Sequence, residues 1–116
     1  MKEEKLYDLT MIRDMLGDED EVKNMIAIFV ESTPLSLHDM NEGFKDDDAD
    51  KLARNAHKMK ASLDMLKINS LYDDVRKIDK DFKVEDIPQD DLDAIIRKMN
   101  TELEKVFEQL KEEFKL

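Results

Sequence analysis

The chain has 116 residues and a formal net charge of −11, and charged residues make up 42% of it. Its length suits one domain with one core, the absence of cysteine excludes disulfides and thiolate metal centres, and the acidic balance disfavours nucleic acid and anionic membrane surfaces. Two glycines and two prolines leave little material for turns, and the abundance of Leu, Met, Lys, Glu and Ala over strand-favouring residues points to helix throughout.

The opening residues MKEEKLYDL carry no apolar signal core, and no apolar run reaches the roughly 18 residues of a membrane span. The chain is expected in the cytoplasm as a single domain over residues 1–116. Its initiating methionine leans toward a free-standing protein rather than a piece of a larger one.

Asp8 is placed to cap a short first helix carrying Met11, Ile12, Met15 and Leu16, with Gly17 as its stop. A second helix starts in the acidic stretch from Asp18 to Glu21, where carboxylates suit the positive end of the helix dipole. It carries Val22, Met25, Ile26 and Phe29, then Leu37, Met40 and Phe44. Pro34 falls inside this pattern and predicts a kink or a brief break, and Gly43 with Asp46, Asp47 and Asp48 predicts the end of the helix. A third helix over about residues 48–66 shows Leu52, Ala56, Met59, Leu63 and Leu66 at spacings of 4, 3, 4 and 3. Asn69 or Ser70 can cap a fourth, with Leu71, Val75, Ile78 and Phe82 turned inward. Residues 83–91 read as a loop, and Asp90 or Asp91 begins the last helix, whose stripe is Leu92, Ile95, Ile96, Met99, Leu103, Val106, Phe107, Leu110 and Phe114. Four long amphipathic helices with short connections predict an all-α fold: an antiparallel four-helix bundle with the short N-terminal helix packed across one end. The eight methionines are expected mostly in the core, where a flexible thioether fills gaps.

The third helix is locally basic. Between Lys51 and Lys67 it holds five cations (Lys51, Arg54, Lys58, Lys60 and Lys67) against the single anion Asp64. His57 lies in this window, off the Ala56–Met59 core stripe, with Ala53 and Ala61 one turn away on either side and Arg54 and Lys60 within side-chain reach. A neutral imidazole nitrogen is a nucleophile at pH 7, and a phosphoryl group on it would gain a charge-assisted hydrogen bond from Lys60. On spacing alone, a solvated histidine among ordinary lysines is the weightier interpretation.

The string from Ala56 to Leu66, AHKMKASLDML, changes that balance: it resembles the phosphorylation helix of histidine-containing phosphotransfer (HPt) domains, whose pattern is Ala-His-x-Leu-Lys-Gly-Ser with a leucine a turn later. Tyr7-Asp8-Leu9 with Leu16-Gly17-Asp18, the stretch from Phe29 to Pro34, and Leu52 to His57 resemble other parts of the same family, so the likeness spans about residues 6–80. Two positions depart from it: Ala61 stands where the family has glycine, and Lys67 replaces the glycine that ends the helix.

The resemblance implies a relay without kinase activity of its own. His57 would accept a phosphoryl group from an aspartate on one receiver domain, in a response regulator or hybrid sensor kinase, and pass it to another. Lys60 would compensate the phosphoryl charge, with Arg54, Ala53 and Ala61 in support. The receiver brings the catalytic carboxylates and Mg²⁺, so no metal or cofactor is expected in this chain, which would work as a monomer. Docking is expected on the exposed parts of the first and early second helices, around Ile12, Met15 and Ile28. The alternative is a helical adaptor that docks a receiver or kinase without phosphotransfer. His38 reads as a surface histidine, and the run Asp46-Asp47-Asp48-Ala49-Asp50 fails as a calcium loop because Lys51 stands where glycine is needed.

Overall fold

In a computed structural model the described residues are 4–79 and 84–116, and all their regular structure is helical, with no strand among them. Five α-helices run in order: α1 (Thr10–Leu16), α2 (Glu19–Lys45), α3 (Ala49–Met65), α4 (Tyr72–Lys77) and α5 (Gln89–Phe114). Helix α2 packs most extensively against α3 and also against α1 and α5, while α4 packs on α3. Every apolar stripe residue predicted on α3 and α5 is buried, which makes these two helices the clearest products of their 3.6-residue period.

The helix starts follow the predicted chemistry with small shifts. Asp8 Oδ1 accepts from the backbone N–H of Thr10 (2.9 Å) and from its hydroxyl, while Asp18 caps α2 by accepting from Asp20 N–H. Gly17 ends α1 in the left-handed region at φ 68°. Helix α5 begins at Gln89, directly after Pro88, one turn-position ahead of the aspartates expected to start it.

Four expectations are corrected. Pro34 does not break α2, which continues from Glu19 to Lys45. Its missing N–H removes one intrahelical bond, but Phe29, Thr33, Leu37 and Met40 are buried on both sides, so tertiary packing carries the helix through. Gly43 does not end α2 either. It sits inside the helix where α3 crosses, and a Cβ there would lie 2.7 Å from Leu52 N and 3.1 Å from Asp48 O. The fourth helix is short: Asn69–Leu71 form a 3₁₀ turn before the six residues of α4, and neither Asn69 nor Ser70 supplies a side-chain cap. Phe82, expected on its inner face, lies outside the described residues. Finally, Met40, Met59 and Met99 are buried, but Met11, Met25 and Met65 are only half-buried and Met15 is exposed. These four belong to stripe edges, where a helix leaves its neighbour.

Helices α3 and α4 are clasped by Arg76, whose two terminal nitrogens donate to both oxygens of Asp64 at 3.1 and 2.7 Å, with the guanidinium 3.6 Å over the Tyr72 ring. The N-terminal segment is tied to both α3 and α5. Asp8 N–H donates to the Leu66 carbonyl at the end of α3 (2.9 Å), and Glu113 on α5 accepts from Tyr7 (2.9 Å), Lys5 and Arg13.

Helix α3 ends in a Schellman motif: Ile68 N–H donates to Leu63 O and Lys67 N–H to Asp64 O, at 3.0 and 3.1 Å. Lys67 thereby takes φ 53°, the conformation glycine adopts without strain. Replacing it should raise stability: Lys67→Gly is expected to gain about 0.5–1 kcal/mol in urea unfolding. Gly43→Ala should do the reverse, losing about 1–3 kcal/mol, because the methyl meets backbone atoms that cannot move independently.

Candidate functional site

Helix α3 buries Leu52, Ala56, Met59 and Leu63, and this phase leaves His57 at the edge of the core with 38% of its side chain exposed. Ala53 beneath it is buried and Ala61 is exposed, so the small residues at both flanks leave the ring open. The inner side of the ring is held by a residue from elsewhere in the chain. His57 Nδ1 lies 2.8 Å from Asp79 Oδ1, and Lys60 Nζ donates to Asp79 Oδ2. Asp79 follows α4 by two residues, and its side chain is 1% exposed. One buried carboxylate thus binds both the imidazole and the ammonium one turn further along α3.

Burial pushes the Asp79 carboxyl upward, but hydrogen bonds from Lys60 and His57 outweigh it and hold the group below its ordinary value of 3.8. Asp79 is therefore ionised at neutral pH and can only accept. The proton in its bond to the ring must belong to Nδ1, which leaves the lone pair of the neutral imidazole on Nε2. The geometry selects one tautomer and one nucleophilic atom.

The other predicted residues divide. Lys60 turns toward Asp79 rather than out to solvent. It is 26% exposed and half-buried against Asp79. Arg54 is engaged with Asp50 on its own helix, at 2.9 Å. Met15 and Ile28 are exposed, but Ile12 is 1% exposed and belongs to the core, because it is the residue of α1 turned directly onto α2. Ile12 instead helps line a groove of about 490 Å³ with Leu16, Met25, Ile28, Phe29 and Met65, on the side of α3 that also carries Ser62. His38 is exposed and paired with Glu42 at 2.9 Å, and Lys51 holds the other Glu42 oxygen at 3.0 Å.

Sequence reasoning missed Asp79. A signal was present: Asp79 stands one helical turn after Val75, in the inward stripe of Leu71, Val75 and Ile78, where an acid has no place unless a cation meets it.

A family model described as the Hpt domain matches residues 24–113, most of the chain and all of α3. No curated protein and no solved structure matches the chain.

Because Asp79 is held below its ordinary value, its contribution to stability is full above the usual carboxylate range and is lost as pH falls through the folded-state value. Asp79→Asn is expected to cost about 1–3 kcal/mol at pH 7. Urea unfolding should show the gap between variant and wild type narrowing as pH drops from 5 to 3. A gap that stays constant over that range would place the carboxylate's role outside its charge.

Proposed function

The chain belongs to the Hpt domain family, whose members act in histidine phosphotransfer within phosphorelays and interact with receiver domains, and from that premise we propose that His57 is the residue that carries the phosphoryl group here. The observation that carries this reading is the ion-paired set His57–Asp79–Lys60, which holds an accessible imidazole in its nucleophilic tautomer. The Nε2 lone pair attacks the phosphorus of a receiver's aspartyl phosphate. The N–P bond forms, the P–O bond breaks, and the electron pair leaves on the receiver carboxylate. The Nδ1 proton stays on the ring throughout, so the product is a phosphorylated imidazolium facing Asp79. Transfer to a second receiver is the same step reversed.

Lys60 carries three N–H donors and offsets the phosphoryl charge from one turn away. Ala53 and Ala61 keep the approach open, and Arg54 adds positive potential at the rim. The carboxylates and Mg²⁺ needed for the chemistry are the receiver's, and this chain contributes no metal. Exposed Met15 and Ile28, beside the groove floored by Ile12, form the docking face for a receiver. We read the arrangement as an antiparallel bundle of α2 to α5 with α1 across one end, working as a monomeric cytoplasmic module. Among the described residues no helix is long and apolar enough to cross a membrane.

Incubation with a phosphorylated receiver is expected to place acid-labile, base-stable label on the wild type and none on His57→Gln. Lys60→Ala should slow transfer on the order of tenfold, equivalent to about 1.4 kcal/mol of barrier, and should also lose some stability because Asp79 loses a partner. Ile28→Glu should weaken receiver affinity by roughly tenfold, about 1.4 kcal/mol, while leaving the fold intact. A receiver that binds wild type and His57→Ala equally while no phosphate moves would mark the chain as an adaptor instead.

A further inference from the structure

The same site bears on how the phosphorylated state behaves, an inference that rests on His57 being the phosphoacceptor. Breaking the N–P bond returns its electron pair to Nε2. If Nδ1 carries a proton, the departing group is neutral imidazole. If it does not, the departing group is an imidazolate anion, a far poorer leaving group. Imidazoles titrate near pH 6.5, so an unassisted phosphohistidine on a protein surface loses this proton, and with it much of its donor ability, within the physiological range.

We propose that Asp79 is a positioning residue that keeps the Nδ1 proton on the phosphorylated ring of His57, so that the module remains a competent phosphoryl donor from mildly acidic to alkaline pH. The geometry supports it. The Asp79 side chain is 1% exposed, and its Oδ1 lies 2.8 Å from Nδ1, so water does not compete for the proton. Deprotonating the ring would leave the carboxylate facing a bare lone pair with no hydrogen between them, a repulsive contact in a buried setting. The charged groups that act on Asp79 are His57 and Lys60, both from α3.

Three cations on the surrounding helices pair with other acids. Arg76 on α4 is on Asp64, Lys98 on α5 is on Asp74 (2.7 Å), and Arg54 on α3 is on Asp50. Lys60 strengthens the arrangement after transfer. A phosphoryl dianion on Nε2 draws the ammonium toward itself, which leaves more of the Asp79 charge to the imidazolium. Asp79 therefore acts on the reaction through the proton of another residue, and its effect appears as a pH dependence.

The test loads the full chain with phosphoramidate, a small P–N phosphoryl donor, and follows the ring nitrogens of phosphorylated His57 by ¹⁵N NMR from pH 6 to 9. The loaded protein is then mixed with a receiver domain at each pH. In the wild type the ring is expected to stay protonated to at least pH 8.5, and the transfer rate should change less than about threefold, a fraction of one pH unit's effect. Asp79→Asn keeps the shape but lacks the charge. Its ring should titrate in the ordinary imidazole range, and transfer relative to wild type should fall about tenfold per pH unit above it. Asp79→Glu, which restores the carboxylate, should recover most of the flat profile. A wild-type ring that loses its proton near pH 6.5, or flat profiles in both wild type and Asp79→Asn, overturns the inference while leaving His57 as phosphoacceptor. Failure of the wild type to take label on His57 from phosphoramidate and from a phosphorylated receiver overturns both.

Discussion

Where α2 turns back into α3, the two backbones meet at Gly43 without side chains between them, close enough that an added Cβ would collide with Leu52 N and Asp48 O. This contact sets the distance and phase of the most extensive helix pair in the protein. Asp48 reinforces it from the turn: its N–H donates to the Gly43 carbonyl (2.8 Å) and its side chain caps α3 by accepting from Lys51. With α3 fixed in this way, Leu52, Ala56, Met59 and Leu63 point inward, and His57 is left on the rim beside α4.

The rim position alone would make His57 an ordinary surface imidazole. Asp79 changes its chemistry because an ionised, buried carboxylate accepts and cannot donate, so both the tautomer and the orientation of the ring follow from one bond. The isolated burial of a carboxylate is unfavourable, and it is sustained here by two cationic or proton-donating partners on successive turns of α3. Stability and chemistry are thus drawn from the same three side chains. Arg76 and Asp64 clasp the same two helices one turn further on, holding α4 in the place from which Asp79 reaches the ring.

Around Ser62 and Met65 the surface of α3 has a different character. Met25, Met65 and Ile28 leave an apolar groove next to α1, and the position of α1 depends on a short N-terminal strap. That strap is anchored by Glu113, which burial pushes upward in pKa but which Lys5 and Tyr7 hold below its ordinary value, and by Gln109, which bonds to the backbone of Glu4 and Leu6. The two chain ends therefore meet at α5, and the groove's outer wall is set by contacts more than 100 residues apart in sequence.

The order of the helices, the buried stripes of α3 and α5, the stop at Gly17 and the place of His57 beside Lys60 at the edge of the α3 stripe were all legible in the sequence, because each depends on residues within a turn or two of one another. The passage of α2 through Pro34, the close crossing at Gly43, the left-handed Lys67 and the burial of Ile12 were not, since each is decided by what lies across the interface. Asp79 is the clearest case. Its sequence position marks it only as an acid on an apolar stripe, 22 residues from His57. Local sequence set His57 between small residues and beside a cation. Only the packing of α4 on α3 decided which of its nitrogens carries the proton, because that depends on a carboxylate brought to Nδ1 and shut away from water.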